Sequence, residues 1–169
     1  MPKPSPTSYL AYFQKYIDQV PEEDLQLAFT NQFPVISSFL QSITEEKSNF
    51  AYAEGKWTIK EVLQHITDTE RIFNYRALAC ARGEKANLPG FEENEYAANS
   101  NAGSRSWQSL VDEFAAVRRS TELLFSSFTP GALENSGIAN NNSFTVCSLG
   151  FISVGHVYHH KKVIEERYL

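Results

Sequence analysis

Apolar residues recur every three to four positions through most of this chain, the period of an amphipathic α-helix. Tyr9 to Val20 could form a short helix that Pro21 ends. Glu22, Glu23 and Asp24 then place negative charge at a new helix start, where it suits the macrodipole. Leu25, Phe29, Ile36, Phe39, Leu40 and Ile43 continue the period to about Lys47. Pro34 falls inside that run and is expected to kink or split it. After a linker over 51–57, Thr58 and Glu61 form a T-x-x-E capping box, opening a helix that runs to about Arg82, with Gly83 as the stop. Residues 84–103 read as loop with a short helix around 92–98. A third long helix starts near Ser104 or Ser106 and ends at Thr129-Pro130-Gly131. The Asn- and Gly-rich segment 131–144 favours turns, and the last helix runs from about Thr145 to Arg167. No strand pattern of useful length appears. The expected fold is all-α, a four-helix bundle with one longer crossover connection. Residues 1–8 are expected to be a flexible, Pro-rich N-terminus and residues 9–169 a single domain.

Two of these helices carry histidines on their inner stripes. His65 shares a stripe with Val62, Thr69, Ile72, Phe73, Arg76 and Cys80. His156 and His160 share one with Leu149, Ser153, Val163 and Ile164, both within about 25° of its centre at 100° per residue. Imidazoles at i and i+4 lie one turn apart on one face and can hold one metal ion. A third from a facing helix leaves a coordination position open, the mark of a catalytic site. Two imidazoles in one core without partners are costly, and a metal satisfies both. His159 lies about 80° off that stripe and suits the surface or a supporting contact better than ligation. No Glu stands three residues before any histidine, which disfavours a di-iron carboxylate site. Val157 follows His156, so the H-E-x-x-H pattern with its built-in base is missing as well. Three neutral imidazoles suit zinc, nickel, copper or iron, and the sequence does not choose among them; zinc is the default divalent ion and nickel the alternative.

Other polar residues on the His65 helix could serve such a site. Asp68 lies one turn on and about 60° to one side, as a general base, a carboxylate supporting a ligand, or a plain surface acid. Thr69 could line a pocket, while Glu70 points away as a solvated or inter-helix charge. Arg76 on the inner stripe needs a partner, either in a structural ion pair or as a clamp for a substrate anion.

Composition narrows the function further. The chain has 169 residues, 42% of them hydrophobic, and a net charge of −5 with scattered basic residues, so no basic stripe for nucleic acid appears. No apolar run approaches the roughly 18 residues a membrane span needs, and the start Met1-Pro2-Lys3-Pro4 lacks a signal-peptide core. A cytoplasmic location is the expectation. Cys80 and Cys147 form no CxxC pair and read as buried small hydrophobes.

The segment Gly55-Lys56-Trp57-Thr58-Ile59-Lys60-Glu61-Val62-Leu63-Gln64-His65 resembles the GKW(S/T)xxExxxH segment of the DinB-like superfamily. Asp68 to Phe73, Ala81-Arg82-Gly83 and Leu88-Pro89-Gly90-Phe91 are similar to the same superfamily, and Gly155-His156-Val157-Tyr158-His159-His160 to its GHxxHH segment. The resemblance covers residues 9–169. It implies an up-down-down-up four-helix bundle, a metal held by His65, His156 and His160, and a homodimer. It also implies a small-molecule substrate: some members are S-transferases or isomerases that use low-molecular-weight thiols such as bacillithiol or mycothiol, and others are described as damage-inducible proteins or metal-dependent hydrolases. The expected function is therefore a metal-dependent, thiol-dependent S-transferase or hydrolase, with Asp68 as the weakly preferred proton carrier. A non-catalytic, dimeric metal-binding or stress-response protein is the alternative.

Overall fold

The computed structural model describes residues 1–169. Eight helices follow in order: α1 (Gln14–Ile17), α2 (Leu25–Gln41), α3 (Glu45–Ser48), α4 (Ile59–Ala81), α5 (Glu93–Asn99), α6 (Trp107–Ser126), α7 (Pro130–Glu134) and α8 (Val146–Arg167). Three short strands, β1 (Asn87–Leu88), β2 (Ser136–Ala139) and β3 (Asn142–Thr145), lie between them. The four long helices α2, α4, α6 and α8 form the bundle. No helix is long and apolar enough to cross a membrane.

Local chemistry accounts for the helix ends. The Thr58 hydroxyl accepts from the Glu61 backbone N–H, while the Glu61 carboxylate accepts from the Thr58 backbone N–H at 2.7 Å. Gly83 closes α4 with a φ of 91°. Thr145 and Ser148 make the equivalent reciprocal cap on α8. Ser106 caps α6, and Asp24 caps α2 through two backbone N–H groups. Pro34 neither splits nor ends α2. The helix continues to Gln41 because Pro34 and Thr30, whose carbonyl loses its partner, both face solvent. The break comes later, where Thr44 caps α3. The first helix is shorter than its apolar pattern suggests, a 3-10 turn over Ala11–Phe13 running into α1. The stretch before it is tied to α2, since Pro2 bridges Asp24 and the Leu25 N–H donates to the Met1 carbonyl.

A minor sheet stands beside the bundle where the sequence shows no strand pattern of useful length. Asn140 and Asn141 both have positive φ, 48° and 62°, which is the geometry of a two-residue type I′ hairpin joining β2 to β3. β1 adds in parallel to β2.

Two cores fix the helix directions. One gathers Leu25 and Phe29 from the start of α2, Phe73 to Cys80 from the end of α4, Phe125 from the end of α6, and Val146 to Val154 from the start of α8. The other gathers Ile36 and Leu40, Ile59 to Ile66, Trp107 to Phe114, and Val157 and Ile164. α2 and α8 therefore run one way and α4 and α6 the other. α2 packs on α6 and α8, and so does α4, which leaves the consecutive helices α2 and α4 diagonal. Because α4 and α6 are parallel, the segment 82–106 between them must return along the whole bundle. That crossover carries β1 and α5, and its Gly90 to Glu93 stretch lies across the cavity described next.

Candidate metal centre

Between the two cores lies a waist of buried polar residues, and the histidines occupy it. His65 enters from α4 between Leu63 of one core and Phe73 of the other. His156 enters from α8 between Val154 and Val157, which belong to different cores. Both are 6% exposed, and His160, one turn beyond His156, is half-buried. Ligand nitrogens of the three lie within 4.8 Å of one another. The Nε2 of His156 is 3.2 Å from the Nε2 of His65 and 3.0 Å from the Nε2 of His160.

That shared nitrogen is the informative feature. A neutral imidazole Nε2 carries one in-plane lone pair or one proton, not both. It can make a hydrogen bond to one neighbour and is then left facing the other unsatisfied. An ion accepting all three lone pairs removes the conflict. Two nitrogens on a tetrahedral zinc, each 2.0–2.1 Å from it, stand about 3.3 Å apart, close to both observed separations.

Electrostatics keep the imidazoles in the ligating form. Burial pulls the His65 pKa from 6.5 to about 4. Burial and then the neighbouring imidazoles, His160 foremost, hold His156 well below its ordinary value. Burial and His65 do the same for His160. No carboxylate pairs with any of them, so the neutral form is strongly favoured at pH 7.

A cavity of about 340 Å³ opens on His65 and His156. Thr69, Phe73 and Arg76 continue its α4 wall, and Tyr12, Phe13 and Tyr16 bring in the segment around α1. The Tyr16 ring stands edge-on to His156 at 5.4 Å and to His159 at 5.2 Å. Gly155 makes this approach possible, because a Cβ there would lie 2.1 Å from the Tyr16 carbonyl oxygen. Tyr16 escaped the sequence reading, and a glycine in mid-helix directly before a core histidine was the signal for it. Trp57 also closes on the site, its ring 4.9 Å from that of His65.

The other candidates divide. Thr69 and Arg76 line the cavity. The Thr69 Oγ1 is buried without a hydrogen-bond partner. Arg76 makes no ion pair, and its Nη2 donates to the Pro89 carbonyl at 2.8 Å. Asp68 does not line the cavity. It sits in a separate surface depression with Glu95, Tyr96, Asn99 and Ser100. Its Oδ1 accepts from Gln64 at 2.9 Å and from Arg71 at 3.4 Å, and Arg71 also pairs with Glu113, so its offset from the stripe places it in a surface charge network. Glu70 is the inter-helix charge, 2.8 Å from Arg118. His159 stays outside the ligand group. Cys80 and Cys147 are buried and free.

Two solved structures share this fold. YfiT from Bacillus subtilis, described as a probable metal-dependent hydrolase with an unusual four-helix bundle topology, superposes with a TM-score of 0.68 at 16% identity, over 97% of this chain and 90% of that one. A mycothiol-dependent maleylpyruvate isomerase gives 0.65 at 11% identity over 89% of this chain, which spans 59% of that one. No curated protein matches in sequence. The family model of the DinB superfamily matches residues 28–164, which include both bundle helices that carry the histidines, and the chain belongs to that superfamily.

Proposed function

We propose that this protein is a metal-dependent enzyme acting on small molecules, with the ion held by the Nε2 atoms of His65, His156 and His160. The observation that carries the proposal is the His156 nitrogen shared between two others at 3.0 and 3.2 Å, an arrangement that hydrogen bonds alone leave unsatisfied. A zinc or nickel ion bound there would supply Lewis acidity to a thiol or water in its open position, giving a nucleophile at neutral pH. Burial keeps the three imidazoles unprotonated and ready to ligate. Tyr16 packs against His156 and fixes its ring plane. Phe13, Phe73, Leu149 and Ile152 give the cavity apolar walls that exclude bulk water from a bound substrate. The hydroxyls of Tyr12 and Tyr16, 3.5 Å apart on the cavity wall, take the proton-handling role in place of Asp68.

The reaction class we favour is thiol-dependent S-transfer or hydrolysis. Of the two neighbours in fold, one is described as a probable metal-dependent hydrolase and the other as a mycothiol-dependent isomerase. The test is turnover by the zinc- and nickel-loaded protein of an electrophile such as monochlorobimane with bacillithiol, mycothiol or cysteine, beside a panel of activated esters. The expected result is turnover that chelation abolishes and added metal restores. Turnover that survives chelation, or none with any thiol or ester, would contradict the proposal.

A further inference from the structure

Thr69 and Arg76 form a second recognition point in the cavity, apart from the histidines. Thr69 is one helical turn beyond His65 on α4 and lines the cavity, its hydroxyl oxygen buried and without a partner. Arg76 follows two turns later on the same wall and is 8% exposed. A guanidinium so buried is costly unless its charge is answered, yet no carboxylate of this chain pairs with it. Its one hydrogen bond, to the Pro89 carbonyl, anchors Nη2 to the crossover and orients the fork. Nη1 and Nε remain without a protein partner.

We propose that the cavity binds a small monocarboxylate with an apolar or aromatic body, its carboxylate on Arg76 and its chain passing Thr69. The charge balance selects a monoanion. Arg76 is the only permanent cation on the cavity wall, and the exposed carboxylates of Glu92 and Glu93 stand at the rim, where a phosphate dianion would be repelled. The body is selected by Phe13, Phe73, Phe91 and Ile152. Eleven residues separate His65 from Arg76, about 16 Å along the axis, and the arginine side chain leans back toward the helix start, shortening the gap. The ligand's far end then points at the histidines. That orientation rests on the metal proposal, whereas the anion subsite does not.

The test is calorimetric titration of the full chain, metal-stripped and with one equivalent of zinc, using 3-phenylpropanoate and its neutral counterpart 3-phenylpropan-1-ol. The expected result is that the acid binds roughly tenfold or more tightly than the alcohol, as a charge-assisted hydrogen bond warrants. Arg76→Gln should erase the difference, and Arg76→Lys should keep part of it. Equal affinity for acid and alcohol, no binding of either, or acid binding unchanged in Arg76→Gln would overturn the proposal. Should Arg76→Gln fail to fold, the acid-to-alcohol ratio of the unaltered protein and of Arg76→Lys decides. Acid binding that needs zinc and His156 but not Arg76 would place the anion on the metal, sinking this subsite and sparing the proposed function. Binding that depends on Arg76 in a protein that takes up no zinc would do the reverse.

Discussion

The polar waist of the bundle holds two buried groupings built on opposite principles. On the α4–α6 side, Glu70 and Arg118 are 2% and 1% exposed and answer each other at 2.8 Å. Thr121 donates to the other Glu70 oxygen at 2.6 Å, and the guanidinium lies over the rings of Phe29 and Phe114. Positive charge meets negative. On the α4–α8 side, three histidines bring together three bases of one kind, with no carboxylate to share a proton. The first grouping balances its charge within the chain, although the Nε and Nη1 of Arg118 are buried without a hydrogen-bond partner. The second would be completed by the metal ion proposed above. Burial alone therefore does not separate a structural polar group from a functional one; whether the chain supplies a group of opposite kind beside it does.

Breaking the charge-balanced grouping should have the largest effect on stability. Arg118→Met leaves Glu70 buried without a counter-charge, and chemical denaturation should show a loss of about 3–5 kcal/mol. A loss under about 1 kcal/mol would mean that the pair is not isolated from water as its geometry states.

The histidine grouping should instead make stability depend on pH. A histidine whose folded pKa lies below its unfolded value takes up a proton more readily when unfolded. His65 sits at about 4 when folded against 6.5 when unfolded. The metal-free protein should hold its full stability above about pH 6.5 and lose it progressively as pH falls toward 4, by up to roughly 3 kcal/mol from this residue. Urea unfolding of the chelated protein at pH 7.5 and 5 checks the sign. His65→Phe should flatten that slope, while an unchanged slope would place the titration elsewhere.

A smaller effect is expected at Gly155. Gly155→Ala pushes a methyl group into the Tyr16 backbone and should cost about 1–3 kcal/mol while lowering metal affinity, because it displaces the wall against His156. Unchanged stability and affinity would show that Tyr16 does not support the site. The smallest effect is expected at Asp68. Asp68→Asn alters only the surface charge network and should change stability by under about 0.5 kcal/mol, with metal content unchanged. Loss of the metal in that variant would return Asp68 to the site.

Much of this arrangement is legible in the residues because it rests on helix periodicity. His65, His156 and His160 meet because each lies at the centre of an apolar stripe, and inner stripes of a bundle must face one another. The Thr58–Glu61 cap sets where α4 begins and hence which way His65 points. What periodicity does not carry was read less well. The β2–β3 hairpin turns on two asparagines at positive φ, which look like ordinary turn residues until the strands pair. The course of α1 over the histidines depends on one missing Cβ at Gly155. Asp68 lies between stripe and surface, where angle alone leaves its place open. Pro34 signals a break that its solvent-facing position makes unnecessary.

Metal content tests the central claim most directly. The unaltered protein and its His65→Ala, His156→Ala and His160→Ala variants would be purified without added metal and analysed for zinc and nickel after equilibration against a micromolar supply of each. The account expects close to one ion per chain in the unaltered protein and a large loss in each variant, with the fold retained. An unaltered protein that takes up no metal, or a His156→Ala variant that keeps it in full, would contradict the account.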